Sequence, residues 1–123
     1  MGTGKTHLAA SVGNYLMSQG VPVVFGTIIN LLGKLKQSYT QKGQDEGEIL
    51  ELYSTIDLLI IDDLGKERPT EWSLEKLYTI INDRYENLKP VIITTNYNND
   101  MLTDRLSTAN NSSTAEAITS KIS

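Results

Sequence analysis

The stretch Ile56-Asp57-Leu58-Leu59-Ile60-Ile61-Asp62-Asp63-Leu64-Gly65 narrows the possible folds of this chain more than any other. The four Leu and Ile residues after Asp57 are too few for a free-standing helix and too continuous for a half-exposed strand. They read as a strand buried on both faces, as in a parallel sheet. The run ends in two adjacent carboxylates, Asp62 and Asp63. Side chains just past the carboxyl end of such a strand point into the ligand crevice of an α/β sheet, where a metal-phosphate site needs its acids. An ordinary strand followed by an acidic turn accounts for the same residues equally well. A phosphate-binding loop elsewhere in the chain decides between the two.

The rest of the chain alternates helix and strand signals. Met1-Gly2-Thr3-Gly4-Lys5-Thr6-His7 runs into Leu8, Ala9, Val12 and Leu16 at helical spacing until Gly20 stops the pattern, so a glycine-rich loop and a helix from about Lys5 to Gln19 are expected. Residues 21–25 read as a short strand with Pro22 near its start. Thr27 caps a helix with Ile28, Leu31, Leu32, Leu35 and Tyr39 on one face, a polar loop covers 40–47, and a short helix near 48–53 leads into the acid-tipped strand. Thr70 caps the longest pattern, in which Leu74, Leu77, Tyr78, Ile81, Tyr85 and Leu88 repeat every three or four residues. A buried strand over 90–95 follows, then a short helix from Asn98 or Asn99 to Leu106, and Ser113-Thr114-Ala115-Glu116 has the spacing of a capping box for a last helix. The alternation predicts an α/β fold with a parallel sheet and helices on both faces. Trp72 and the Tyr residues of the long helix are expected in the core, and His7 is expected to be an ordinary helix residue.

At 123 residues the chain is one domain at most, and short for a nucleotide-binding α/β domain. Its net charge of -4 argues against a surface that grips nucleic acid throughout, while leaving room for a local basic patch. Cysteine is absent, which excludes disulfides and thiolate metal sites. No apolar run approaches the roughly 20 residues of a membrane span, and nothing at the amino end resembles a signal peptide. A cytoplasmic protein with no membrane partner is expected.

Gly2-Thr3-Gly4-Lys5-Thr6 matches the last part of G-x-x-x-x-G-K-[ST], whose backbone N–H groups wrap phosphate at a helix N-terminus. Lys5 would reach the β- and γ-phosphates, and the Thr6 hydroxyl would ligate magnesium. A bare Gly-Lys-Thr is common by chance. Followed by an apolar strand ending in two acids, it becomes the two-part signature of P-loop NTPases. Asp62 would then hold Mg2+ and Asp63 would orient and deprotonate the attacking water. Asn96, at the tip of the third strand, can donate and accept hydrogen bonds and would position that water; taken alone, it reads equally as a residue that starts a turn.

Gly-Thr-Gly-Lys-Thr-His-Leu-Ala-Ala at 2–10, Asp-Leu-Leu-Ile-Ile-Asp-Asp-Leu-Gly at 57–65, Asn-Asp-Arg-Tyr at 82–85 and Ile-Ile-Thr-Thr-Asn at 92–96 together resemble the AAA+ helicase-loader ATPases of the DnaC and DnaI type. The IstB-type transposition helpers are their close relatives. The resemblance covers nearly the whole chain and implies a P-loop AAA+ core, ATP and Mg2+ as cofactors, and DNA replication as the setting. It implies a replicative helicase and single-stranded DNA as partners, and a homo-oligomer in which one subunit's arginine completes its neighbour's site. Gly2, Thr3, Gly4, Lys5 and Thr6 fall on Walker A, Asp62 and Asp63 on Walker B, and Asn96 on sensor 1. Where the family often carries Ser-Arg this chain has Ser120-Lys121, which leaves Arg105 as a fallback for the shared arginine and Arg84 as an intersubunit or a structural arginine; an exposed helix residue is the plain alternative for both. Lys34, Lys36 and Lys42, with Tyr39 among them, lie where these ATPases place a DNA-facing element; a solvated helix face beside Asp45, Glu46 and Glu48 is the plain alternative.

The resemblance also implies that a central strand leads into the phosphate loop, and nothing precedes Met1. Residues 1–123 are therefore expected to be a partial AAA+ ATPase domain. A transposition helper and a non-catalytic DNA- or helicase-binding remnant remain as rival readings.

Overall fold

The computed structural model describes residues 2–38, 46–108 and 111–122. Its elements are α1 (Gly2–Ser18), β1 (Val23–Thr27), α2 (Ile28–Ser38), α3 (Glu46–Thr55), β2 (Leu58–Asp62), α4 (Glu71–Glu86), β3 (Val91–Ile93), α5 (Asn99–Leu106) and α6 (Ser112–Ile122). The three strands form one parallel sheet in the order β1-β2-β3. Every residue of β2 is buried, as its unbroken apolar run requires. Leu58 and Ile60 face α1 through Ala9, while Leu59 and Ile61 join the larger core made with α2, α4, α5 and α6. Helices therefore cover both faces of the sheet.

β1 begins two residues later than its composition suggests. Register decides this: Val23 pairs with Leu58 and Thr27 with Asp62, while Pro22, which has no N–H to give a ladder, only accepts from the Leu58 N–H at 3.3 Å. β3 is half-buried along its length, not buried as expected, because it lies at the edge of the sheet. On α1, Leu8 is 68% exposed, and the helix meets the sheet through Ala9, Leu16 and the narrow Gly13, where a Cβ would approach Ile60 to 3.1 Å.

Several helix ends follow from single residues. Gly20, at φ +84°, closes α1 by donating to the Met17 carbonyl while Val21 donates to Leu16, a left-handed turn that suits glycine. Thr27 accepts from the Asn30 N–H, Thr70 from Ser73 and Asn98 from Met101, so three expected caps are in place. The cap of α6 is Asn111, whose Oδ1 accepts from the Thr114 N–H at 3.1 Å, so the helix starts ahead of the expected Ser113 box.

The face of α4 differs from its apolar pattern. Leu74, Leu77 and Ile81 are buried as expected and Tyr78 is half-buried, whereas Tyr85 is 59% and Leu88 91% exposed. Pro90 disfavours helix at Lys89. The helix stops at Glu86, and Leu88 takes a left-handed φ of 54° while Lys89 donates to the Arg84 carbonyl at 2.8 Å. Trp72 packs at the rim of the core, with the ammonium of Lys36 5.3 Å from its ring centre and that of Lys76 5.9 Å away. Tyr39, Lys42 and most of the expected 40–47 loop lie outside the described residues. Among the described residues no helix is long and apolar enough to cross a membrane.

Candidate functional site

Asp62 is the last residue of the central strand and is only 8% exposed. A buried carboxylate requires donors. Among the described residues it has two, one from each side of the sheet's carboxyl end. Thr6, in the second turn of α1, donates to Oδ1 at 3.0 Å and lies 3.3 Å from Oδ2. Thr94, one residue past β3, donates to Oδ1 at 2.5 Å. Because the Thr6 proton points at the carboxylate, its lone pairs are left for a cation. Hydroxyl and carboxylate oxygens side by side are the donor chemistry of Mg2+, so Thr6 and Asp62 fit the metal the sequence implies.

Asp63 leaves the strand with φ 60°, a left-handed conformation that Asp tolerates better than most residues. Its N–H donates to Thr94 Oγ1 at 2.8 Å. The side chain is about a third exposed, with Lys66 Nζ 4.0 Å away and largely in water, and it lines a cleft of about 310 Å³ at the carboxyl ends of β1 and β2. A solvent-facing carboxylate next to a buried one can serve as a base while its neighbour holds charge.

The turn behind these acids is held from α5. Arg105 donates through Nε to the Gly65 carbonyl at 2.8 Å and through Nη2 to Lys66 at 2.7 Å, and its guanidinium lies 5.3 Å from the Tyr97 ring centre. Gly65, at φ +90°, has no room for a side chain: a Cβ there would sit 2.7 Å from Leu102 and 3.0 Å from Tyr97. Arg105 thus braces its own subunit's turn, a role the sequence reading missed. No local signal reveals it, because its partners are about 40 residues away.

Lys5 extends its ammonium to the Thr95 carbonyl at 2.7 Å, which brings the amino end of α1 to the tip of β3. The glycine-rich segment is not the expected loop. Gly2, Thr3 and Gly4 already lie within α1. Extending a helix through these residues adds one bond per residue fixed. A Cβ at Gly4 would meet nothing within 4 Å outside its own turn of helix among the described residues. Asn96 is exposed on the bend after β3, next to the Thr95 whose carbonyl holds Lys5.

Other expected residues lie elsewhere. Arg84 is fully buried and donates to the Tyr53 carbonyl at 2.9 Å and the Pro90 carbonyl at 2.6 Å, so it is a structural arginine. Burial pushes its pKa down, and the Asp57 charge opposes that shift. Lys121 lies 5.2 Å from the Tyr85 ring centre. Lys34 and Lys36 are exposed on α2, and His7 is an exposed residue of α1.

The fold, with its Gly-Lys-Thr helix set against the acid at the end of the central strand, is a P-loop α/β domain of the AAA+ class. Within that class the chain belongs to the IstB-like ATP-binding protein family, whose sequence model matches residues 1–121. The chain is 30% identical over 105 residues to the replicative helicase loader DnaC of Escherichia coli strain K12, covering 85% of this chain and 43% of that protein. A crystal structure of the DnaC helicase loader superposes with a TM-score of 0.80 at 34% identity, over 98% of this chain and 68% of the other. AMPPCP-bound DnaA from Aquifex aeolicus superposes with a TM-score of 0.75 at 27% identity, over 87% of this chain and 33% of the other. The chain spans less than half the length of the DnaC protein it matches.

Proposed function

We propose that the protein carrying this chain binds ATP with magnesium and hydrolyses it to control the loading of a replicative helicase on single-stranded DNA during replication. The observation that carries this reading is the contact between Thr6 and Asp62, which joins the two halves of the P-loop signature at 3.0 Å. The likeness to DnaC, a replicative helicase loader, and to AMPPCP-bound DnaA supports it.

In this reading the N–H groups of Gly2, Thr3, Gly4 and Lys5, which lie at a helix amino end where the first four lack intrahelical partners, receive phosphate oxygens. Lys5 exchanges the Thr95 carbonyl for the β- and γ-phosphates. Thr6 and Asp62 would hold magnesium, which would supply positive charge to offset that of the phosphates. Asp63 takes a proton from water as the water oxygen bonds to the γ-phosphorus and the bond to the bridging oxygen breaks. Asn96 holds that water in line. The protein acts in the cytoplasm as a homo-oligomer, and Lys34 and Lys36 contact DNA phosphates. The IstB-like match favours a second reading, a transposition helper with the same ATP chemistry.

Equilibrium ATP binding with and without magnesium tests the site, on this chain and on a form extended at its amino end. Magnesium-dependent binding in either form is expected, and Asp63→Asn should bind ATP yet turn over about 100-fold or more slowly. Absence of binding in both forms removes the nucleotide reading, and normal turnover by Asp63→Asn removes Asp63 from its role. Salt-dependent binding to single-stranded DNA that survives loss of Lys34 and Lys36 removes the DNA patch.

A further inference from the structure

We propose that Thr94 is the positioning residue that sets the two acids of the site as one unit, and that its hydroxyl tunes how tightly Asp62 holds the metal. The inference rests on the nucleotide-and-magnesium reading above and extends it to a residue outside the P-loop signature.

Thr94 is 8% exposed, and its main chain is already fully used. Its N–H donates to the Ile61 carbonyl at 3.0 Å, and its carbonyl accepts from the Leu64 N–H at 2.8 Å. The hydroxyl is therefore not needed to satisfy its own backbone. It serves both acids at once, accepting from the Asp63 N–H at 2.8 Å and donating to Asp62 Oδ1 at 2.5 Å. A hydroxyl has one proton. Because the Asp63 N–H occupies a lone pair, that proton is directed at Asp62.

Two consequences follow. The left-handed backbone of Asp63 and the rotamer of Asp62 depend on the same oxygen, so neither relaxes without disturbing the other. In addition, Oδ1 is taken by two hydroxyls, whereas among the described residues Oδ2 has only the 3.3 Å contact to Thr6. Thr94 thereby holds Asp62 with Oδ2 as the oxygen open to a cation. Partners of this kind around a metal ligand are worth about 10- to 100-fold in metal affinity.

The test uses Mn2+ as a magnesium surrogate, titrated in the presence of ATP and read by electron paramagnetic resonance. Exchange of the Asp63 amide hydrogen, followed without nucleotide or metal, is the second readout. Thr94→Val, which keeps shape and removes the hydroxyl, should weaken Mn2+ binding about tenfold or more and speed exchange of the Asp63 amide. Thr94→Ser should restore both to within about twofold of the unaltered protein. Thr119→Val is the control: this buried threonine bonds Thr103 at 2.8 Å in another part of the core, so it should lose stability while Mn2+ affinity holds.

Thr94→Val that loses stability but binds Mn2+ within about twofold of the unaltered protein overturns the inference and makes Thr94 merely structural. Should Thr94→Val not fold, Thr94→Ser decides, because a tenfold loss of Mn2+ affinity with the hydroxyl still present is the overturning result. An unaltered protein with no metal-dependent ATP binding, in either the given or the extended form, overturns both the inference and the reading beneath it. Metal-dependent binding that is insensitive to Thr94→Val overturns the inference alone.

Discussion

Replacing Arg84 separates a structural arginine from one that serves a neighbouring subunit. The side chain is fully buried, and its two guanidinium ends tie the last turn of α3, through the Tyr53 carbonyl, to the residue that leads into β3, through Pro90. Hydrogen bonds from a charged donor contribute about 1.5–3 kcal/mol each, so two amount to roughly 3–6 kcal/mol. Against this stands the desolvated charge, whose pKa burial pushes down, and an Nε with no hydrogen-bond partner among the described residues. Arg84→Ala removes both bonds and opens a cavity where the buried side chain stood, and large-to-small changes at buried positions cost about 2–5 kcal/mol, the range expected here. Arg84→Met fills most of the volume and removes the charge. It orphans two carbonyls, of which Pro90's is only partly buried and can turn to water, so a loss of about 1–2 kcal/mol is expected. Urea unfolding followed by Trp72 fluorescence measures both, with the midpoint falling and the slope unchanged. A loss below about 1 kcal/mol for Arg84→Ala, or a larger loss for Met than for Ala, would refute the reasoning. An arginine that acts only on a neighbour's site would leave the midpoint where it was.

Leu88→Gly should stabilise the protein by about 0.5–1 kcal/mol in the same assay, because Leu88 is 91% exposed, has little packing to lose and sits at a left-handed φ of 54°; a destabilised variant would count against that backbone. Tyr53, 2% exposed and donating to the Leu31 carbonyl at 2.8 Å, has its pKa raised by burial from the ordinary value of 10.0. The unfolded chain therefore releases the Tyr53 proton at a lower pH than the folded one, and stability is lost as pH rises from about 10 towards the raised folded value. Tyr53→Phe should lose about 1 kcal/mol at neutral pH and lack that alkaline loss; an unchanged alkaline profile would assign it to other groups. Arg105→Ala should speed amide exchange across residues 63–66 by freeing the carbonyls of Gly65 and Lys66, and unchanged exchange there would show that Gly65 packing alone holds the turn.

What the sequence made legible was what its local chemistry decides. The central strand declared itself because an unbroken apolar run is useful only where both faces are covered, and Thr27, Thr70 and Asn98 declared themselves because a cap acts within three residues. The site was half legible for the same reason. Asp62 and Thr6 stand in recognisable patterns, but their contact spans 56 residues and only the fold makes it. Thr94 lies inside the 92–96 stretch and Arg105 on a short helix, but nothing local marks either as a partner of the acids or of the turn behind them until the fold brings them there. Arg84 shows the limit from the other side. The apolar repeat of α4 assigned the buried face to Tyr85 and Leu88, whereas the helix ends before Pro90 and Arg84 takes the interior position, its charge met by carbonyls from two other segments.

Adjacent acids on one strand would ordinarily point to opposite faces of the sheet, one up and one down. Asp63 avoids this by turning left-handed one residue after the strand ends, so it rims the crevice while Asp62 remains beneath it. Glycine would adopt that backbone more readily, and an ordinary L-residue there costs about 1–2 kcal/mol. The chain keeps a carboxylate there and holds it with the Thr94 hydroxyl, the Thr94 carbonyl's bond to Leu64 and the Arg105 brace on the next two carbonyls. The Thr94 hydroxyl acts on Asp63 itself, and the other restraints hold the three residues that follow it. In the nucleotide reading proposed above, strain fixed in this way beside a buried carboxylate would keep the second acid in place before its ligand arrives.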